Sequence, residues 1–272
     1  MNKLLKTEWL KIRKYRAFWW MGGLVLLSYP GINYIFYQIY KEFLGKEGDA
    51  QNQMMRMLLG NPFTFPEVWH TVAFASSLFL FIPSIVVIMF ITNEYTYKTH
   101  RQNIIDGWSR GQFMMAKLVD VFLISLIITL LYICVALVIG YLNISEAGSA
   151  GMWSESKYIG LFFLQTFSQL SVAFLIAFLA RKAFVALGIF IFYFIILEPV
   201  LVGVGRRFAN DAGRFLPLEI SDRMIPLMAF IDRDPVHYRT AVDNIPTQVA
   251  LTVVLTGLTW ALCFWLNKKR DL

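Results

Sequence analysis

Apolar residues gather into six long runs, at 17–40, 72–92, 121–142, 158–180, 183–205 and 249–266. None holds Lys or Arg, and only the fifth holds a carboxylate, Glu198. A helix needs roughly 20 apolar residues to cross ~30 Å of hydrocarbon, which is the scale of these runs. Inside hydrocarbon the backbone must satisfy itself, which favours helices, and the ~10-residue alternating segments of a β-barrel are missing. The pattern predicts an all-α, polytopic membrane protein with six transmembrane helices in a single transmembrane domain, 1–272. Pro30 and Pro83 lie inside the first two runs and predict kinks there.

The polar stretches between the runs set the orientation. With the N-terminus inside, the inner segments (1–16, 93–120, 181–182 and 267–272) carry 15 Lys/Arg and 5 acids. The outer segments (41–71, 143–157 and 206–248) carry 10 Lys/Arg and 12 acids. The basic excess on the shorter inner segments predicts both termini in the cytoplasm. Residues 1–16 place Leu4, Leu5, Trp9, Ile12 and Tyr15 on one helical arc and Lys3, Lys6, Lys11, Arg13 and Lys14 on the other. This predicts an N-terminal interfacial amphipathic helix against membrane lipids. Its basic residues and the long run that follows do not read as a cleavable signal peptide.

Composition adds weight without changing the reading. Hydrophobic residues make up 57% and charged residues 16%, against about 25% charged in soluble domains. Mean hydropathy is +0.56. The net charge of +7 follows from topology and anionic lipid, so no nucleic acid is needed to explain it. Cys134 and Cys263 sit in apolar runs without metal or disulfide spacing, and His70, His100 and His237 fall in separate places. No Ser/His/Asp or Cys/His constellation is recognisable, so the chain does not read as an enzyme.

Chemistry concentrates in the segment after the second run. Residues 94–105 contain no Gly or Pro, which predicts a short polar helix, and Asp106-Gly107 supplies its stop. Ser109 with Gln112 three residues on forms a capping box that opens the next helix, through Lys117 into the third run. Thr99, Arg101, Asn103 and Arg110 offer charge and hydrogen bonds, and Ile104, Ile105 and Trp108 an apolar ridge. Such a mixture suits docking into a groove on another protein; a solvated loop dipping into headgroups is the alternative.

Glu94, Thr99, Ser109-Arg110 and Lys117, in that order after a second span, resemble the permeases of type-2 ABC exporters. Lys98 stands where that family usually has Gly before the Thr, and Ala116 where a Gly often precedes the Lys. The resemblance implies a cytoplasmic coupling helix at 94–105, with Glu94, Thr99, Arg101, Asn103, Ile104, Ile105, Asp106, Ser109 and Arg110 as the ATPase-coupling residues. It also implies an extracytoplasmic segment, 206–248, whose short helices re-enter the membrane edge. ATP and Mg would be bound by a separate nucleotide-binding ATPase subunit, with no cofactor on this chain. No Gly-x-x-x-x-Gly-Lys-Ser/Thr occurs, and Gly45-Lys46-Glu47 lacks both the earlier Gly and the hydroxyl. A second permease copy or a homologous permease would complete the pathway, in a plasma membrane of the bacterial inner-membrane type. The cargo of the export is left open among drug, peptide, lipid and ion. An ATPase-coupled membrane anchor or assembly platform without solute transport is the alternative function.

Two further polar features lie within the runs. Gln165, Ser168 and Gln169 share one face of the fourth, as either interhelical contacts or a pathway lining. Glu198, before Pro199, is expected at a helix break, bonding freed backbone groups or pairing with Arg206 or Arg207. The balanced charge of 206–248 predicts a folded cap with internal ion pairs.

Overall fold

The computed structural model describes residues 16–44, 61–105, 107–143, 151–208, 211–228 and 235–269, and the regular structure among them is entirely helical. Helix α1 (Arg16–Leu44) runs unbroken past Pro30. The interfacial helix expected at 1–16 lies outside the described residues, except Arg16, which opens α1.

The second apolar run is not one straight span. α2 (Val68–Ser77) and α3 (Phe81–Thr96) meet at 50°. The bend lies just upstream of Pro83, which occupies the first turn of α3, where a missing N–H forfeits no helical hydrogen bond. α3 continues four residues beyond the expected end of the run. α4 (Thr99–Ile105) follows, then α5 (Arg110–Leu142), which starts well before its apolar run because the Ser109 cap opens it. α6 spans Lys157–Ala180.

The fifth run corrects an expectation. Rather than breaking near Glu198, the chain passes from α7 (Ala183–Phe192) through a π turn (Tyr193–Leu197) into α8 (Glu198–Phe208) as one span. The wider π turn takes up the ring and missing N–H of Pro199, so the helix continues. A 3₁₀ turn (Ala212–Phe215), α9 (Pro217–Asp222), α10 (Pro235–Asp243) and α11 (Ile245–Lys269) complete the order.

By length and composition α5, α6, α7–α8 and α11 can each cross a membrane, and the bent α2–α3 pair would make a fifth. α1, with 29 residues and about 44 Å of length, is long enough but less apolar. Tyr29, Asn33, Tyr34, Tyr37 and Gln38 dilute its run.

α6 is the central helix. Some 67% of its apolar window is buried, against 39% for α5 and 22% for α7–α8 and α11. It packs against α2, α3, α5, α7, α9 and α11. Tyr132 of α5 stacks obliquely on Phe162, with centroids 4.6 Å apart, and donates its hydroxyl to the Trp69 carbonyl at 2.8 Å. Trp260 of α11 stacks on Phe174 and donates its indole N–H to Ser171 Oγ at 2.9 Å. Buried aromatic rings with satisfied polar tips therefore fix α6 against both neighbours.

Cross-helix bonds define the two ends of the bundle. Tyr37 Oη donates to Asn143 Oδ1 at 2.8 Å, so α1 and α5 end together. Arg110 Nη1 donates to the Lys268 carbonyl at 2.9 Å and Asn267 Nδ2 to the Arg110 carbonyl at 2.8 Å, joining the start of α5 to the end of α11. α4 lies at this second end, and Arg181, in the α6–α7 turn, sits 5.5 Å over the Tyr95 ring there. α9 packs toward the opposite end of α6.

Candidate functional site

The hairpin between α3 and α5 is built from local signals. Tyr97 ends α3, and Lys98 takes φ +56°, the left-handed conformation that Gly adopts without strain. This is the position where the resembling family usually has Gly. α4 closes with Gly107 at φ +95°, its N–H donating to the Ile104 carbonyl at 3.0 Å while Trp108 N–H donates to Asn103 at 3.0 Å. That pair of bonds is a Schellman ending. The capping box is formed: Ser109 Oγ accepts from Gln112 N–H at 3.1 Å, and Gln112 Oε1 accepts from Ser109 N–H at 2.9 Å.

The structure sorts the residues expected to face a partner. Ile105 is 77% exposed, as is Tyr97 at 73%. Ile104, Trp108, Thr99 and Arg110 are half-buried, and Ser109 is exposed in its cap. Asn103 instead turns inward and is buried, its Nδ2 without a partner among the described residues. Arg101 lies on α4, and Asp106 lies outside the described residues.

Glu94 requires a correction. It belongs to the last turns of α3 rather than to the coupling helix, and it is buried. Its carboxylate accepts from Lys117 Nζ at 2.7 Å, and Lys117 also bonds Asp120 Oδ2 at 3.2 Å. Lys117 is 1% exposed, with the Phe90 and Phe113 rings 4.9 and 5.6 Å from its ammonium. An ammonium so removed from water needs such partners. The Glu94 carbonyl meets His100 Nδ1 at 3.1 Å and Thr99 Oγ1 at 3.5 Å, so the start of α4 hangs from the same residue. Asp120 was not legible as a site residue, although its i, i+3 spacing from Lys117 at the edge of an apolar run was the available signal.

A second polar centre joins α6 to α9. Gln165 Nε2 and Gln169 Nε2 both donate to Asp222 Oδ1, at 2.8 and 2.7 Å, and Gln169 also reaches Ser221 Oγ at 3.1 Å. Ser168, on the same helix, is buried with no partner among the described residues. Glu198 Oε1 accepts the N–H groups of Leu218 and Glu219 at 2.8 and 2.7 Å. It bonds backbone groups, as one expectation held, but those of α9 rather than of its own helix. α9 starts with Pro217 at its first position and has no side-chain cap of its own, so Glu198 supplies the acceptor from α8.

Arg206 does not pair with Glu198. It bonds Glu219 at 2.9 Å, and Arg223 bonds Glu219 at 2.8 Å and Asp211 in bidentate fashion at 2.7 and 3.0 Å. The Arg223 guanidinium holds the Asp211 carboxyl below the usual carboxylate range. These internal ion pairs are those expected of a folded cap. His70 Nε2 lies 2.8 Å from the Pro226 carbonyl and its ring stacks on Tyr158 at 4.3 Å, fastening the following strand of chain to α2 and α6.

Comparison with known proteins accords with this architecture. No curated protein matches the chain. The description of the ABC-2 family transporter protein matches residues 4–197, well over half of the 272, from α1 through the hairpin and α6 to the π turn. A multi-pass helical membrane protein whose capped hairpin falls within that match belongs to the ABC-2 transporter family, as a permease subunit of an ABC transporter.

Proposed function

We propose that this permease exports its cargo with ATP hydrolysed on a separate nucleotide-binding subunit, which grips α4. The observation that carries the reading is the mounting of α4. It is a short helix with an exposed Ile105, held between a left-handed turn and a Schellman ending, and its root is the buried Glu94–Lys117–Asp120 cluster. Force applied to α4 passes through Lys98 into α3 and through the Ser109 cap into α5. The ion cluster ties α3 to α5, so the two helices move together rather than the hairpin flexing alone. ATP and Mg belong to the partner, and a second permease, identical or homologous, closes the pathway.

Six spans with both termini in the cytoplasm fit this arrangement, α1 and the bent α2–α3 pair each counting as one. Arg110, Arg181, Lys182, Lys268 and Lys269 gather at the α4 end, and the inner segments carry 15 Lys/Arg against 10 on the outer ones, which supports α4 on the inner face. Ile104 and Ile105 then face the ATPase, with Arg101 on the same short helix.

The test is purification of the tagged chain from its native membrane in mild detergent, with ATP hydrolysis measured on the eluate. Burial of an isoleucine is worth roughly 1.5–3 kcal/mol, so Ile105→Asp should lower retained ATPase by about tenfold or more while insertion is unchanged. The double variant Arg101→Ala, Ile104→Ala should behave alike. Full retention by both variants would place the contact elsewhere. Hydrolysis indifferent to every solute offered would favour the anchoring platform.

A further inference from the structure

The polar centre between α6 and α9 has more acceptors than the protein satisfies. Gln165 and Gln169, 0% and 2% exposed, spend their amide N–H groups on one oxygen of Asp222. Gln165 Oε1, which belongs to the amide bonded to Asp222 and so lies at the centre itself, is buried with no partner among the described residues. Ser168 Oγ, one turn along the same helix, is likewise buried and unpartnered. The nearby cations are already committed: Arg206 to Glu219, and Arg223 to Glu219 and Asp211. No described cation pairs with Asp222. A purely structural tie between α6 and α9 would need only the two amide bonds, and it would leave neither an unmatched buried amide oxygen nor an unpaired carboxylate.

The centre also lies deep along α6. Gln165 lies 8 residues and Gln169 12 residues into α6, about 12 and 18 Å from its start at Lys157. Asp222 keeps exposed surface as a residue, while its carboxyl turns inward onto the two buried glutamines. Burial of the carboxyl pushes it up to about 7, against the opposing pull of the two amides, and Glu219 and Glu198 add in the same direction. Glu219 is matched by Arg206 and Arg223, whereas Asp222 has no paired cation among the described residues and so attracts one. The unmatched atoms are oxygens, which suit N–H donors or a hard monovalent ion.

We propose that Asp222, with Gln165 and Ser168, forms a binding site for a monovalent cationic group, the ammonium of the cargo being the occupant the acceptor set favours. An ammonium brings one charge for Asp222 and separate donors for its open oxygen, for Gln165 Oε1 and for Ser168 Oγ. Gln169 and Ser221 position the carboxylate. The cargo role rests on the permease reading above; the site itself does not.

Binding is therefore read on the purified chain in detergent, without ATPase or nucleotide, as the shift of its melting temperature. The titrants are ethylammonium chloride, sodium chloride, and choline chloride as a cation without N–H donors. Ethylammonium should stabilise the wild type saturably, and choline should not. In Asp222→Asn, which keeps an acceptor for both glutamines, half-saturation should weaken about tenfold or more. Gln165→Leu supplies the second variant should Asp222→Asn fail to fold, and it too should weaken binding. A response to sodium rather than ethylammonium that is lost in the same variants keeps the site and makes its occupant an inorganic ion. Stabilisation by none of the three salts, or stabilisation equal in wild type and variants, overturns the proposal. Cation binding that survives loss of ATPase association would separate the site from the permease reading.

Discussion

Replacing Lys117 by Met probes the mounting of the hairpin directly. The ammonium lies 2.7 Å from Glu94 and 3.2 Å from Asp120 and is 1% exposed. At an effective dielectric of about 20, contacts at these distances of 2.7 and 3.2 Å correspond to roughly 6 and 5 kcal/mol of attraction, most of it offset by desolvation. Deleting one member of such a buried group strands the others and costs about 3–5 kcal/mol. Glu94 and Asp120 would be left as two like charges in an apolar setting beside Phe90 and Phe113. For a chain of this size about 3 kcal/mol lowers the melting temperature by roughly 10 °C. The assay is thermal unfolding of the purified protein in detergent, followed by intrinsic tryptophan fluorescence. The triple variant Glu94→Gln, Lys117→Met, Asp120→Asn removes all three charges at similar volume and should recover at least about half of the loss, because an uncharged buried set no longer carries the uncompensated charge. A single variant that melts within about 2 °C of wild type, or a triple variant no better than the single one, would refute the view that charge pairing holds α3 to α5.

Other expectations concern the α9 end. A Cβ at Gly213 would lie 2.6 Å from Val202 Cα, so Gly213→Ala should lift the 3₁₀ turn off α8, cost about 1–3 kcal/mol and admit protease at residues 211–228, measured by limited proteolysis. Glu198→Ala strands the Leu218 and Glu219 N–H groups and should destabilise by about 1–3 kcal/mol, whereas Glu198→Gln, which keeps an acceptor, should cost less on the same thermal assay. Because Arg223 holds the Asp211 carboxyl below its ordinary value, the stability it lends is complete above about pH 4 and disappears as pH falls through the lowered value. Protease resistance of the cap should thus be flat from pH 7 to 5 with respect to this pair, and an Asp211→Asn difference that vanished between those values would contradict the assignment.

Local chemistry made much of this protein legible. The apolar runs forecast helices because a bilayer tolerates no unsatisfied backbone, and each of them is helical where described apart from the bend at 78–80 in the second. The stop at Gly107 and the capping box of Ser109 and Gln112 depend on residues three to five apart, so the sequence alone determined where α4 ends and α5 begins. Local spacing puts Glu94 on the coupling helix, but its role is set by Lys117, 23 residues on, and the left-handed turn at Lys98 starts α4 later than propensity suggests. Pro199 was expected to break a helix, yet a π turn absorbed it. Nothing local marks Asp222 among the balanced charges of 206–248, because its partners on α6 are 53 and 57 residues away. Spacing along one helix determined that Gln165 and Gln169 share a face. Only the packing of α9 against that face decided what they touch, because a long-range contact is fixed by the burial of whole helices and not by the residues beside it in the chain.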